Sequence, residues 1–132
     1  MTAQYMLDTD TVSFALRGHG RVKERILQHR PSEICISSIT LGELRYGAER
    51  RNSQKLHELI SAFSANVAVM PFDDTCADHF GRLAAELARR GSLIGEFDAL
   101  IAAHASALQV TFVTNNLKHF SRVPGLMIEN WV

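Results

Sequence analysis

The chain has almost nothing with which to cross-link itself. Only two cysteines, Cys35 and Cys76, occur in 132 residues, 41 positions apart and with no second Cys at metal-ligand spacing from either. A domain of this size needs neither a disulfide scaffold nor a structural zinc site, and both cysteines read as reduced core residues of a protein in a reducing, cytoplasmic setting. Long hydrophobic runs are also missing. No segment approaches the roughly 18 apolar residues that a membrane-spanning helix needs. Residues 1–8 lack both a basic flank and an apolar stretch of leader length, so the expectation is that the whole chain is the mature protein. An excess of one charge is absent as well: fourteen Lys and Arg balance fourteen Asp and Glu, so net charge alone gives no argument for a polyanionic partner. No repeat or low-complexity tract interrupts the sequence.

What is present is ordinary for a folded domain. Hydrophobic residues make up 46% and charged residues 21%, which places residues 1–132 as one globular domain rather than a disordered or fibrous chain. A domain of this size buries roughly 65 to 70% of the surface its unfolded chain exposes, enough to fold without staples. The positive charge is unevenly spread. Arg17, Arg21, Lys23, Arg25 and Arg30 gather in the first quarter, followed by Arg45, Arg50, Arg51 and Lys55. Solvated helix faces account for most such residues, and a rim that tracks phosphates is the competing reading.

Short apolar runs alternate with helical patterns. Tyr5, Met6 and Leu7 form a first strand, and Val12, Phe14, Ala15 and Leu16 a helix closed near Gly18. Residues 20–29 carry Val22, Ile26 and Leu27 at helical spacing, and Pro31 stops them before a second strand at Ile34, Cys35 and Ile36. Thr40 is a plausible N-cap for the helix that follows, and Leu56, Leu59, Ile60 and Phe63 mark another. Residues 67–70 read as a third strand. The clearest helix places Cys76, Ala77, Phe80, Leu83, Ala84, Leu87 and Ala88 on one face, with Gly91 just past its end. Asp98 opens a helix through Leu108, Thr111 to Val113 form a fourth strand, and Leu126, Met127 and Ile128 a short fifth at the edge. Strands alternating with helices imply a mostly parallel sheet covered on both faces, hence a three-layer α/β/α sandwich.

In such sheets the functional crevice lies outside the carboxyl ends of the strands. Asp8 directly follows the first strand, and Asn115 and Asn116 follow the fourth. Glu43 and Asp98 lie in the first turns of helices. If those helices begin on the same edge, strands about 4.8 Å apart bring three carboxylates and an amide within reach of one divalent ion. Carboxylates that close repel one another, and a hard cation with a preference for oxygen relieves the conflict, which points to magnesium or manganese. Each acid also has a purely structural reading. Asp8 fits a cap of the first helix, Thr40 and Glu43 a capping box, and Asp98 a favourable charge at a helix N-terminus.

Several blocks resemble one family. Met6-Leu7-Asp8-Thr9-Asp10 is similar to the opening M-L-D-T-N of VapC-type PIN domains, and residues 36–44 to their I-S-x-x-T-x-x-E-L. Residues 94–105, Ile-Gly-Glu-Phe-Asp-Ala-Leu-Ile-Ala-Ala-His-Ala, are similar to I-G-x-x-D-x-L-I-A-A-H-A. Val113-Thr114-Asn115-Asn116, with Phe120, residues 123–126 and Glu129-Asn130-Trp131, is similar to the closing segment. The resemblance spans essentially the whole chain, in order and at the family's spacing. It implies a PIN-domain ribonuclease of the VapC kind, the toxin of a type II toxin–antitoxin pair. On that reading Asp8, Glu43 and Asp98 are the acidic triad, with Asp8 and Asp98 the direct magnesium ligands. Position 10 is Asp where the family usually has Asn, and position 116 is Asn where many PIN domains place a fourth acid. Thr-Asn-Asn is common in a subgroup that cleaves tRNA, in several cases the initiator, which makes tRNA the expected substrate and translation the process inhibited. His104 and Trp131 read as packing residues.

The resemblance further implies a VapB-like antitoxin partner, a toxin homodimer, operator DNA bound only through the antitoxin complex, and no membrane association. Two rivals remain. A receiver-like signalling domain would need a phospho-acceptor Asp after the central strand and a late Lys, which Asp73 and Lys118 do not supply convincingly. A catalytically silent PIN fold that only docks RNA or a partner conflicts with an intact triad.

Overall fold

In the computed structural model, which describes residues 3–132, five short strands form one parallel sheet between layers of helix. Met1 and Thr2, part of the opening stretch read above for a leader, lie outside the described residues. The order along the chain is β1 (Tyr5–Leu7), α1 (Thr9–Arg17), α2 (Val22–Leu27), a 3₁₀ turn (Pro31–Glu33), β2 (Ile34–Ser37), α3 (Ser38–Arg50), α4 (Gln54–Ser64), β3 (Ala68–Met70), α5 (Asp74–Arg89), α6 (Glu96–Leu108), β4 (Thr111–Val113), α7 (Leu117–Phe120) and β5 (Ile128–Glu129). Across the sheet the strands run β3-β2-β1-β4-β5. The three-layer α/β/α sandwich expected from the sequence is therefore observed.

Because both faces are covered, the strands are mostly apolar, and alternate side chains feed two separate cores. Met6, Cys35 and Phe112 pack on one face against Leu87 of α5 and Ile101, Ala102 and Ala105 of α6. Leu7, Ile34, Ile36 and Val113 point the other way, onto Val12 and Ala15 of α1, Leu44 and Ala48 of α3, Ile60 of α4 and Trp131. Cys35 and Cys76 are free and buried, as expected, and burial pushes the Cys35 thiol up to about 12. No helix of the described residues is long and apolar enough to cross a membrane.

Topology decides where a site can lie. The chain builds β1, β2 and β3 to one side, then returns through α5 and α6 to lay β4 on the other flank of β1. The switch point between β1 and β4 leaves a crevice beyond their carboxyl ends, where ligands of open α/β sheets bind. The register, Leu7 beside Val113, puts Asp8 and Thr114 level as the first residues past the two strands.

Several expectations need correction. Thr40 is not an N-cap: Ser37, the last residue of β2, caps α3 by accepting from the Ile39 N–H at 3.0 Å, so the strand runs into the helix with no linker. Thr40 is a buried residue inside α3, and no Thr40–Glu43 capping box exists. Asp98 does not open α6; Gly95, at φ +94, is its N-cap, and Asp98 is the third helical residue. On α5, Ala77 and Ala88 are exposed. The last strand covers Ile128 and Glu129 rather than 126–128.

Candidate active site

Asp8 leaves β1 at the point where α1 begins. Its N–H donates to the Val113 carbonyl at 2.9 Å, prolonging the β1–β4 ladder by one rung. Its Oδ1 accepts from the Thr11 N–H at 2.8 Å, so Asp8 caps α1 as one of its two sequence readings required. The carboxylate is 5% exposed. Burial raises its pKa; the Thr11 amide and hydroxyl and the Thr114 hydroxyl pull the other way, and Asp10 adds repulsion.

Glu43 arrives from α3, in its second turn. Its Oε1 accepts the Thr9 hydroxyl at 2.6 Å, and the Thr40 hydroxyl lies 3.3 Å from that same Thr9 oxygen. Thr40 thus serves the contact between α1 and α3 beside Glu43. Burial raises the Glu43 pKa, the Thr9 bond opposes it, and the charges of Asp98, Asp10 and Asp8 raise it further. The charges of Asp8, Asp10 and Asp98 are thus all felt at Glu43.

Asp98 enters from the first turn of α6, which starts at Gly95 because φ +94 is open to glycine at no steric cost. Its Oδ2 is 3.0 Å from His119 Nε2, which is also 2.9 Å from the Ile94 carbonyl. A carbonyl only accepts, so that nitrogen carries a proton and donates to both oxygens. Burial raises the Asp98 pKa, the His119 bond and charge lower it, and Asp10 raises it.

Asp10 is exposed in the first turn of α1, and its charge acts on Asp8, Glu43 and Asp98 alike. It stands among the acids, not merely at a helix end. Asn116 is exposed beyond β4; its N–H donates to Thr114 Oγ1 at 3.0 Å and its side chain makes no cap bond with α7. Neighbouring Asn115 accepts from Asn130 Nδ2 at 3.3 Å.

Sequence reasoning missed Thr9, Thr114 and His119 as members of this constellation. Thr114 had a usable signal, its place directly after β4 opposite Asp8. His119 had none, because α7 is too short to show a period.

His104 is buried on α6 with Nδ1 2.8 Å from the Ser37 hydroxyl. It ties the helix carrying Asp98 to the cap of the helix carrying Glu43. Burial lowers its pKa. Trp131 is a packing anchor, 1% exposed, stacked on His29 with ring centroids 4.9 Å apart.

The donor set suits a hard divalent cation: carboxylate oxygens of Asp8, Glu43 and Asp98, with His119 bonded to one oxygen of Asp98. Among the described residues no three His, Cys, Asp or Glu side chains form a ready-made cage. That is compatible with magnesium, which keeps several waters and takes one or two carboxylates rather than an all-protein shell.

The sequence pattern of the PIN domain matches residues 5–126. The chain is 40% identical over 130 residues to the tRNA(fMet)-specific endonuclease VapC of Salmonella typhimurium, covering 97% of this chain and 98% of that protein. To the tRNA(fMet)-specific endonuclease VapC of Shigella flexneri it is 39% identical over 130 residues, with 97% and 98% covered. The crystal structure of DNA-bound VapBC from Salmonella typhimurium superposes with a TM-score of 0.93 at 39% identity, covering 98% of this chain and 99% of that one.

Proposed function

The chain belongs to the PIN-domain family and to its VapC ribonucleases, and from that premise we propose that residues 1–132 act as one magnesium-dependent endoribonuclease domain that cuts initiator tRNA and so blocks translation. What supports the reading is the place of Asp8 directly after β1 at the β1–β4 switch point, together with the repulsion that Asp98, Asp10 and Asp8 add at Glu43 and that Asp10 adds at all three acids. Such a site is electrostatically incomplete until a cation joins it.

Asp8 and Asp98 would hold the ion and Glu43 would complete the triad. When bound, magnesium or manganese polarises the phosphoryl group and makes a water nucleophilic at neutral pH. The protein's own part is placement. Thr11 and Thr114 orient the Asp8 carboxylate, His119 fixes one oxygen of Asp98, and the Thr9 hydroxyl holds Oε1 of Glu43. Glu43, whose pKa burial raises, would be placed to accept a proton from the attacking water. In-line hydrolysis leaves a 5′-phosphate and a 3′-hydroxyl and makes no use of the RNA 2′-hydroxyl. Asn116, bonded to Thr114 through its backbone N–H, would be an accessory able to bond a water beside the ion.

The tRNA assignment rests on the substrate of the Salmonella and Shigella relatives. The Salmonella structure, a VapBC complex on DNA, supports a VapB-like antitoxin partner and operator binding through that complex. An apolar groove of about 580 Å³ flanked by α1, α2 and α4, where Leu27 is 79% exposed, supports a protein partner on this chain. A toxin homodimer and a cytoplasmic setting complete the proposal, the latter supported by two free buried thiols.

Purified protein incubated with tRNA and magnesium should cleave it. Chelator or Asp98→Asn should stop the reaction, and calcium should substitute poorly because its looser coordination misplaces the water. Undiminished cleavage in chelator would rule the mechanism out.

A further inference from the structure

A groove of about 280 Å³ opens from the acids between α1 and α3. Thr9, Asp10 and Glu43 line one end; Arg17 and Arg51 line it as well, over a floor that includes Leu44 and Ile60. Arg17 follows Asp10 by seven residues on α1, and Arg51 follows Glu43 by eight along α3. At about 1.5 Å rise per residue, both arginines stand roughly 10 to 12 Å along their helices from the acids.

Neither has an acidic partner among the described residues. Arg17 Nε reaches only the Ser13 carbonyl of its own helix, at 3.4 Å, with its guanidinium 5.1 Å from the Phe14 ring centre. Arg51 contributes a backbone N–H to the end of α3, and its guanidinium makes no hydrogen bond among the described residues. No arginine is among the charges that shift Asp8, Glu43 or Asp98, so the pair does not neutralise the acid site. Of the other basic residues of the candidate rim, Arg25 pairs with Glu129 at 3.7 Å and Arg45 is bonded to His57 and Ser61, while Arg21, Lys23, Arg30, Arg50 and Lys55 do not line this groove.

A strand whose reacting phosphate lies at the acids carries further phosphates into this groove. There they meet two guanidinium groups with no counter-ion, whose planar donor fork matches phosphate oxygens. We propose that Arg17 and Arg51 form a subsite for backbone phosphates of the RNA strand flanking the one that is cut, an inference that rests on the ribonuclease reading above. The subsite gives the strand a hold that compensates for the repulsion between phosphate and the four acids. It also sets how the chain enters.

Gly47 supplies an independent probe. It lines the same groove, its backbone is ordinary helix, and a Cβ built there meets nothing within 4 Å. Gly47→Leu therefore fills the groove while raising helix propensity.

The test is fluorescence anisotropy of a short fluorescein-labelled single-stranded RNA with the full chain, in chelator, across a salt series. Arg17→Gln with Arg51→Gln should weaken binding about tenfold per arginine, the scale of a charge-assisted hydrogen bond. The slope of log affinity against log salt should shrink by about 1.4, at roughly 0.7 per phosphate contact. Gly47→Leu should weaken binding while melting no lower than the wild type. Arg21→Gln with Arg122→Gln, which removes two cations outside the groove, should change affinity far less. Equal losses from the two pairs, an unchanged salt slope, or no RNA binding by the wild type would overturn the subsite. Cleavage measured in parallel keeps the readings apart. A wild type that cuts RNA while the groove variants bind it normally refutes the subsite alone, and the arginines would then serve another ligand such as an acidic peptide.

Discussion

Replacing Asp8 separates its two roles, cap and ligand. Asn is as good an N-cap as Asp, so Asp8→Asn keeps an acceptor for the Thr11 N–H, now bonded at 2.8 Å, while removing a buried charge. Asp8→Ala removes both. The lost cap costs about 1 kcal/mol. The Thr11 amide, in a residue with no solvent exposure, is left unsatisfied, which brings the total to roughly 2 kcal/mol. For a domain of this size that is on the order of 8 °C in Tm. In chelator at pH 7 the expected order of melting is Asn at or above wild type, and Ala well below Asn. The pH dependence follows from the sign of the shift. The Asp8 pKa is raised in the folded state, so its protonated form stabilises the fold below the ordinary value of 3.8, and that stability is lost as pH rises through the raised value. The advantage of Asn over wild type should therefore grow with pH and vanish in acid. Added magnesium should raise the wild-type Tm by mass action and leave Asp8→Asn unmoved. Scanning calorimetry in chelator and in magnesium reads all of this. An Asn variant that melts below wild type at pH 7 in chelator, or that still responds to magnesium, would refute the reasoning.

Asn116→Asp should lower the magnesium concentration for half-maximal cleavage and weaken RNA binding, since an added carboxylate attracts cation and repels phosphate; an unchanged magnesium requirement would place Asn116 outside the ion's surroundings. His119→Ala should move the Asp98 pKa further upward, because the bond and charge that now lower it are lost, and should cost about 1 kcal/mol after solvent screening. Carboxyl-carbon NMR titration tests it, and an unmoved Asp98 would contradict the assigned contact. The buried His104 is held neutral with its pKa lowered from 6.5, so the stability it contributes is present above that pH and lost as pH falls below it. Denaturant titrations between pH 7 and 5 should show that loss in the wild type and not in His104→Gln.

The layers of this fold were legible because the signals were local and redundant. Tyr5, Met6 and Leu7 read as a buried strand since both faces of a parallel sheet are covered, and Gly18, at φ +68, ends α1 where its sequence position suggested. Short-range competition among polar residues was not legible. Ser37 and Thr40 are both good caps, and only the length of β2 decides between them: the strand runs through Ser37 to pair with Met70, which puts the helix start three residues early. The acids were found from the rule that chemistry follows strand ends, together with a motif. The groups that orient them were not, because Thr9, Thr114 and His119 act through contacts between elements distant in sequence. The Thr9 bond to Glu43 spans 34 positions and the His119 bond to Asp98 spans 21. Likewise, the basic residues looked equivalent until packing committed Arg25 and Arg45 elsewhere and placed Arg17 and Arg51 on the groove that Asp10 and Glu43 also line.

The most direct test of cation-dependent hydrolysis by the Asp8, Glu43 and Asp98 site is to map both ends of the fragments that purified protein makes from initiator tRNA, with magnesium, with chelator, and with Asp98→Asn. The expected result is a discrete cut leaving a 5′-phosphate and a 3′-hydroxyl, absent in chelator and in the variant. Fragments ending in a 2′,3′-cyclic phosphate, or cutting that survives both chelator and Asp98→Asn, would contradict it.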